Sequence, residues 1–544
     1  MAEPAASMRV SAISIPMNDG QKLAADLYLP QQEGKYPCIV ILTPYNKKHM
    51  TAALPERAEG KTIFDAGNYA YLAVDWRGYF GSKNAKTGKL MINPMKQVGK
   101  DGYDVVEWAA GQEWCNGKVG MWGASALGKS QFETALLQPP HLVCICPIVA
   151  GLGMTYEQYY HGGVLKYGHV AIMDKIGYPG TSKRLRKIPE YGRAWKFIER
   201  RTDCSALNIP ILLIGCWFDT DMPGVLRTYR SLKTQAGEIS RGSTKMLVGP
   251  WTHMGAAAAP VNVGQLKYPG AEGFSIDRAR QFFDFYLREQ KNNYDRYADF
   301  EYFQLQTGTW LATASWPPAG SVTEKLFLHG DGKLLPVAAG VEGSVITIKS
   351  NPEDPSPTVG GFNLPRRVAK YKLTDGPYDQ SKDVESRDDC IAFSSDILPE
   401  AKNLQGECSV KLYVSSDQVD TDVTVRLCDV FPDGRSILVS DGVMRMRYRH
   451  GLENKQLMEK GRVYPVTIKL VTTAWTFKKG HSIRLLVSGS NYPRFDINPN
   501  NGEHFTSPQG NSHIANNSIY FSESYPSVLQ LPVNSELTLP KKSR

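Results

Sequence analysis

The stretch GASALGKS, which runs from Gly123 to Ser130, constrains the fold of this sequence more than any other feature. Written as G-x-x-x-x-G-K-S, it is a phosphate-binding P-loop. Written as G-x-S-x-x-G, it is a sharp strand-to-helix turn that presents Ser125 as a nucleophile. Both motifs follow a hydrophobic strand and open a helix, so the local context leaves both interpretations open.

Short apolar runs alternate with helical patterns on either side of this turn. Asn18-Asp19-Gly20 lies between two of the runs and predicts a β-hairpin. The apolar runs lack strict alternation, which indicates a parallel sheet covered by helices on both faces. The predicted strands span residues 10–16, 23–29, 38–42, 69–74, 119–122, 142–149, 209–214 and 245–248, and the predicted helices span 102–111, about 126–137 and 275–290.

The composition changes twice along the chain. Aromatic residues and glycines crowd together after residue 151, and a basic, helix-like stretch continues to residue 208, which indicates an insertion. From residue 319 to residue 544 helical patterns vanish, and short alternating strands separated by turns predict an all-β region. The α/β sheet therefore takes residues 1–150 and 209–318.

Bulk properties exclude several classes of protein. The net charge of +9 is spread over 544 residues, so we expect no nucleic-acid partner. No apolar run approaches the ~20 residues of a membrane span, and the N-terminus lacks a signal-peptide pattern. The nine cysteines have no framework spacing, which favours a reducing, cytoplasmic compartment. No residue cluster indicates a metal or a cofactor.

The order of three polar residues favours the nucleophile interpretation. A serine hydroxyl needs a base, and the base needs a third group to hold it in one tautomer. Ser125, Asp219 and His253 each follow a predicted strand, in the order Ser, Asp, His that is typical of α/β-hydrolases. Asp219 would also suit a P-loop protein, but a P-loop usually follows the first strand, and His253 would then have no role.

The sequence resembles the family of cocaine esterases, α-amino-acid ester hydrolases and X-Pro dipeptidyl-peptidases. The resemblance extends from about residue 13 to residue 533. Its motifs in the first half are TPYNK at 43–47, DWRG at 75–78 with GS at 81–82, EWC at 113–115, GMWGAS at 120–125, WFD at 217–219 and GPWTH at 249–253. In the second half they are DP at 354–355, VGG at 359–361, YVSSD at 413–417, DV at 429–430 with PDG at 432–434, and RMRYR at 445–449.

The resemblance implies a fold and a mechanism. Ser125 would be the nucleophile, His253 the base and Asp219 the residue that orients it. The Tyr45 hydroxyl and the backbone N–H of Ala126 would form the oxyanion hole. An α/β-hydrolase domain would carry a helical cap at 151–208 and a C-terminal jelly roll at 319–544. The family commonly has Tyr after the nucleophile, so Ala126 would leave the pocket wall more open.

Several residues keep two interpretations. Asp221 could bind a cationic acyl group of a substrate, or it could simply start a helix, where the helix dipole favours a carboxylate. Tyr156, Tyr159 and Tyr160 could line an aromatic acyl pocket, or they could pack within the cap. Lys129 becomes a helix-surface residue once the P-loop interpretation is set aside.

The leading hypothesis is a serine hydrolase that acts on a small-molecule ester or amide without a cofactor. Cleavage of X-Pro dipeptides or aminoacyl esters, and acyl transfer to an alcohol or amine, remain alternatives on the same three residues. A P-loop ATPase and an inactive carbohydrate-binding protein are the alternatives from other classes. A homodimer is the working hypothesis for assembly, and no sequence pattern indicates its interface.

Overall fold

The β-hairpin predicted at the N-terminus opens a ten-stranded mixed sheet. Its strand order is β1-β2-β4-β3-β5-β6-β9-β10-β13-β14, and the neighbours from β4 to β13 run parallel. The computed structural model describes residues 8–53, 62–63, 65–86, 94–176, 178, 180–340, 344–368, 370–503, 511–535 and 537.

The first 14 strands are β1 (Arg9–Pro16), β2 (Lys22–Leu29), β3 (Tyr36–Thr43), β4 (Ala70–Asp75), β5 (Cys115–Ala124), β6 (Leu142–Ile148), β7 (Tyr160–His161), β8 (Val164–Leu165), β9 (Leu212–Phe218), β10 (Lys245–Thr252), β11 (Asn262–Val263), β12 (Leu266–Lys267), β13 (Phe300–Gln304) and β14 (Thr309–Thr313). The helices are α1 (Pro94–Ala110), α2 (Ala126–Ala135), α3 (Tyr156–Tyr159), α4 (Tyr167–Lys175), α5 (Thr181–Leu185), α6 (Arg193–Glu199), α7 (Met222–Gln235), α8 (Glu238–Ser243) and α9 (Phe274–Leu287).

Helix α1 begins at Pro94, eight residues before the predicted start at residue 102. The prediction was wrong because Gly99 and Gly102 lower the helix propensity of this stretch. Both glycines face α2: a Cβ at Gly99 would lie 2.6 Å from the Glu133 carbonyl oxygen, and one at Gly102 would overlap the Thr134 side chain. Close packing of two helices therefore requires residues that weaken the local pattern.

The segment between β6 and β9 carries helices α3 to α6 and a hydrophobic cluster of its own. Trp195 is fully buried in it, and the rings of Tyr156 and Tyr160 stack with their centroids 4.6 Å apart. A hydrophobic cluster formed by Tyr156, Tyr159, Tyr160, Leu165, Val170, Leu185 and Trp195 fills the segment. We refer to residues 151–208 as the cap segment.

The C-terminal region is built of strands in two main sheets. The larger sheet has nine strands, and the smaller has the order β20-β27-β23-β24. Its strands are β15 (Val322–Leu328), β16 (Leu334–Leu335), β17 (Ser344–Ser350), β18 (Arg367–Val368), β19 (Tyr371–Lys372), β20 (Cys390–Ser394), β21 (Lys402–Gly406), β22 (Ser409–Ser416), β23 (Asp422–Val430), β24 (Ser436–Arg445), β25 (Tyr464–Lys469), β26 (Thr473–Phe477), β27 (Ser482–Ser488), β28 (Ala515–Phe521) and β29 (Val528–Asn534).

Backbone hydrogen bonds join the C-terminal region to the ten-stranded sheet. Leu305, at the end of β13, donates to the Ala474 carbonyl at 2.9 Å and accepts from the Thr476 N–H at 3.1 Å. On β26, the buried Trp475 donates through its indole N–H to the Asp429 carboxylate of β23 at 3.0 Å. Strand β26 therefore contacts both the ten-stranded sheet and the four-stranded sheet of the C-terminal region.

The cap segment contacts the C-terminal region closely at one turn. Arg445 donates its backbone N–H to the Gly162 carbonyl at 2.9 Å, and the His161 ring lies 2.8 Å from the Lys469 carbonyl. Gly162 has a φ of 52°, which strains any residue with a side chain.

Among the described residues, no helix combines the length and the apolar character needed to cross a membrane. All nine cysteines lie in the described part of the chain, and each is a free thiol.

We expect Gly162→Ala to destabilise the fold by about 3 kcal/mol, because the new methyl group would overlap the Val443 carbonyl in addition to the backbone strain. Gly434→Ala is the matched control: its φ is 90°, but nothing lies within 4 Å of the added carbon, so it costs about 1 kcal/mol. Thermal unfolding of both variants would measure the difference. Equal losses would show that the turn at Gly162 can move away from β24.

Candidate active site

Ser125 occupies a strained turn between β5 and α2. Its φ is 59° and its ψ is −118°, which is a rare conformation for a residue with a side chain. The Ser125 N–H is held by the Ile148 carbonyl of β6 at 2.9 Å. The turn also needs Gly128, since a Cβ there would lie 2.6 Å from the Cβ of Ala150. The sequence GASALGKS therefore forms an elbow that lifts Ser125 off the end of the sheet.

Asp75, the last residue of β4, holds the loop that follows the adjacent strand β3 and carries Tyr45. The Asp75 carboxylate accepts hydrogen bonds from the backbone N–H groups of Lys47 at 2.7 Å and Gly81 at 3.0 Å. The Lys47 ammonium pairs with the buried Asp26. These contacts explain the motifs at 43–47 and 75–82, because the first loop is fixed by the second.

The Tyr45 hydroxyl faces the Ser125 side chain, the Tyr178 hydroxyl and the backbone N–H of Ala126. Burial raises the pKa of Tyr45, and hydrogen-bonding interactions with these three groups oppose the rise. The raised pKa keeps the phenol protonated, so its O–H remains available as a donor. A phenol and a backbone N–H thus lie beside the hydroxyl of Ser125.

Asp219 and His253 follow the neighbouring strands β9 and β10 and form a hydrogen bond. His253 Nδ1 lies 2.8 Å from Asp219 Oδ1, the Asp219 side chain is fully buried, and the His253 side chain is 10% exposed. Burial disfavours the charged imidazolium, but the Asp219 carboxylate, with smaller contributions from Asp221 and Asp375, raises the pKa of His253. Because the carboxylate accepts from Nδ1, the neutral imidazole keeps Nε2 free to take a proton.

Asp221 lies at the start of α7 but makes no capping hydrogen bond with its side chain. Its backbone N–H donates to Asp219 Oδ1 at 3.2 Å, and its Oδ2 accepts from Gln158 of the cap segment at 3.2 Å. Burial raises the pKa of Asp221, while Lys129 and Lys166 oppose the rise. The helix-start interpretation is therefore incomplete, because this carboxylate faces the cap segment.

Lys129 is not the helix-surface residue that the sequence predicted. Its ammonium donates to the Gly153 carbonyl at 3.0 Å and to Gln158 Oε1 at 3.1 Å. Burial lowers its pKa, and the Asp221 carboxylate opposes that effect. The prediction was wrong because the cap segment covers this face of α2.

Two of the three tyrosines that were candidates for an acyl pocket have hydroxyls engaged within the cap segment. The Tyr156 hydroxyl donates to the Pro189 carbonyl at 2.8 Å, and the Tyr160 hydroxyl donates to the Leu185 carbonyl at 2.9 Å. This placement favours the packing interpretation for both. The Tyr159 ring instead lies 6.0 Å from the His169 ring, and the Asp221 charge contributes to raising the pKa of Tyr159 after burial.

Three residues near the site had no signal in the sequence. Tyr178 meets Tyr45 from the cap segment, and His169 lies close enough to His253 for their charges to interact. Asp375 arrives from the C-terminal region, where the Thr252 side chain hydrogen-bonds to it and His253 influences its charge. They come from separate segments, and the order of motifs along the chain gives no indication of their convergence.

Two family models match the chain. Residues 19–176 and 173–255 match X-Pro dipeptidyl-peptidase (S15 family), and residues 292–530 match the X-Pro dipeptidyl-peptidase C-terminal non-catalytic domain. A cocaine esterase of Rhodococcus sp. (strain MB1 Bresler) is 29% identical, and the alignment covers 96% of this chain and 98% of that protein.

Solved structures with the same fold cover almost all of the chain. An aminopeptidase from a marine sediment archaeon, Thaumarchaeota archaeon, is similar with a TM-score of 0.84, 20% identity and 98% of both chains covered. An α-amino acid ester hydrolase is similar with a TM-score of 0.82, 22% identity and the same coverage. These likenesses show that the ten-stranded sheet has the α/β-hydrolase fold and is followed by an all-β domain.

Proposed function

The chain belongs to the family of cocaine esterases, α-amino-acid ester hydrolases and X-Pro dipeptidyl-peptidases, and we propose that it cleaves a small-molecule carboxylic ester or amide through an acyl-enzyme on Ser125. Members of this family are serine hydrolases of ester or amide bonds. Ser125 is the nucleophile, His253 the base and Asp219 the group that orients the base.

The observation that carries the proposal is the pair of hydrogen-bond donors beside Ser125. The Tyr45 hydroxyl and the Ala126 N–H lie beside its side chain, and His253 is hydrogen-bonded to a buried carboxylate. A nucleophile, two oxyanion donors and an oriented base are the parts that acyl transfer requires. The positive φ of Ser125 supports the same role, because strained residues in folded proteins concentrate at functional sites.

Acylation begins when Ser125 Oγ attacks the carbonyl carbon and its proton passes to His253 Nε2. Negative charge develops on the carbonyl oxygen, and the Tyr45 hydroxyl and Ala126 N–H donate hydrogen bonds to it. Asp219 stabilises the imidazolium that forms. The tetrahedral intermediate then collapses, the bond to the alcohol or amine breaks, and His253 returns the proton to that leaving group.

Deacylation repeats these steps with water as the nucleophile. His253 takes a proton from water, the hydroxide attacks the acyl carbon, and the carboxylic acid leaves as Ser125 regains its proton from His253. An acyltransferase would use an alcohol or amine in place of water. The same side chains serve both reactions, so the acceptor that reaches the acyl-enzyme decides between them.

We expect Ser125→Ala to abolish covalent labelling by a fluorophosphonate, because the reagent bonds to the serine oxygen. Intact-mass spectrometry would report one adduct on the wild type and none on the variant. Ser205→Ala is the control, since Ser205 is exposed and should leave labelling unchanged. Labelling of Ser125→Ala at the wild-type rate would contradict the assignment of the nucleophile.

We expect Tyr45→Phe to lower kcat by about 10²–10³-fold, because one oxyanion donor is lost. Hydrolysis of p-nitrophenyl esters would measure it. Tyr36→Phe is the control: Tyr36 lies at the opposite end of β3 and donates to the Gln32 carbonyl at 2.8 Å. A Tyr45→Phe enzyme with the kcat of the wild type would show that the phenol does not contact the oxyanion.

The acidic limb of the kcat/KM profile should lie above pH 6.5, the ordinary value for histidine, because Asp219 raises the pKa of His253. The neutral imidazole is the active base, so activity falls as the pH falls through this raised pKa. Asp219→Asn removes the anion, so the limb should move to lower pH while kcat drops by about 10⁴-fold. A limb that stays in place in Asp219→Asn would contradict the assignment of Asp219.

A further inference from the structure

A largely buried charged cluster lies next to the His253–Asp219 pair. It consists of Asp221, Lys129, Lys166 and Gln158, and we refer to it as the Asp221 cluster. Asp221 lies between β9 and α7, and Lys129 lies on α2. Gln158 and Lys166 belong to the cap segment. The Asp221 N–H donates to the same Asp219 oxygen that accepts from His253. The cluster is therefore one hydrogen bond away from the proposed catalytic groups.

Hydrogen bonds connect three of these side chains, and among the described residues no ion pair joins either lysine to Asp221. Gln158 donates to Asp221 Oδ2 at 3.2 Å and accepts from the Lys129 ammonium at 3.1 Å. Lys166 donates to the Thr220 carbonyl, one residue before Asp221, at 2.8 Å. Among the described residues, Asp221 Oδ1 has no hydrogen-bond partner. The two ammonium groups are thus held near the carboxylate by neutral acceptors.

The charges in this cluster compensate each other. Asp221 is the leading acidic neighbour of both lysines, ahead of Glu133 for Lys129 and ahead of Glu157 for Lys166. While His253 is neutral, the two cations therefore face the two carboxylates of Asp221 and Asp219. Where water is largely excluded, such charges act over longer distances than in solvent.

His169 shows how a further positive charge fares in this environment. Burial and, after it, the charges of Lys166, His253 and Lys129 lower the pKa of His169 to about 3, so the ring is neutral. Its Nδ1 is buried without a partner in the described part of the chain. A cationic group placed beside His169 would meet the same two ammonium groups, those of Lys166 and Lys129.

We propose that Lys129 and Lys166 neutralise Asp221 and thereby select substrates whose acyl group carries no positive charge near the scissile bond. This inference rests on the proposed function of Ser125, His253 and Asp219. It is the opposite of the hypothesis that Asp221 binds a cationic acyl group. The two lysine ammonium groups already supply the positive charge that a substrate ammonium would bring to Asp221.

The test compares two esters of equal shape. Phenyl 3-aminopropanoate carries an ammonium group at neutral pH, and phenyl butanoate carries a methyl group in its place. The ratio of kcat/KM for the two esters, each divided by its rate with hydroxide, reports the charge preference. We expect the wild type to favour phenyl butanoate by at least about tenfold.

Removing either lysine should shift this ratio. We expect Lys166→Met and Lys129→Met each to move it toward the aminopropanoate ester by about tenfold, because Asp221 loses a neutralising cation. Asp221→Asn should move it in the opposite direction. Lys183→Met is the matched control, since Lys183 lies exposed on α5 of the cap segment and should leave the ratio unchanged.

The ratio separates specificity from a structural role in holding the cap segment, because a loosened cap would slow the hydrolysis of both esters together. Melting temperatures identify variants that fail to fold, and any one of the three variants that folds is sufficient. The inference is overturned if the wild type favours the aminopropanoate ester or if the folded variants keep the wild-type ratio. It is also overturned if neither ester is hydrolysed while Ser125 still reacts with a fluorophosphonate. Absence of both hydrolysis and labelling would instead contradict the proposed function.

Discussion

The strained backbone at Ser125 is the constraint on which the rest of the site depends. A serine with φ of 59° is tolerated only where its surroundings fix it, and here the Ile148 carbonyl and the approach of Gly128 to Ala150 do so. The turn directs the Ser125 side chain and the Ala126 N–H toward the same space. Tyr45 reaches that space because the Asp75 carboxylate fixes its loop. The position of the Ser125 hydroxyl and its neighbours therefore depends on the sheet, on α2 and on the two loops that Asp75 joins.

The sequence predicted the parts of the fold and site that follow from local pattern. The N-terminal hairpin, the parallel strands and the order Ser125, Asp219, His253 could be read from apolar runs and from the residues that end them. The first two turns of α1 could not be predicted in this way. Gly99 and Gly102 lower the helix propensity of their own segment, and they are there because α2 packs closely against them. Where a residue serves a distant neighbour, its local signal is weak or misleading.

The contacts between the cap segment and the sheet were beyond sequence reasoning for a related reason. Lys129 has the pattern of an exposed helical lysine, and only the position of Gly153 and Gln158 makes it a partly buried donor. Tyr178 and Asp375 approach the site from segments that are distant in the chain. Burial of polar groups between segments depends on the docking of whole elements, and hydropathy along the chain does not encode it.

The two backbone hydrogen bonds that Leu305 makes with β26 have a consequence for the rigidity of the surroundings of His253. They fasten the C-terminal region to the central sheet, and with it the loop that carries Asp375. The loop of Asp375 is therefore held in place before a substrate binds, so that its ordering costs no conformational entropy in each catalytic cycle. Evolutionary change beside His253 would then proceed by exchanging side chains on this loop, since its backbone is already held in one arrangement.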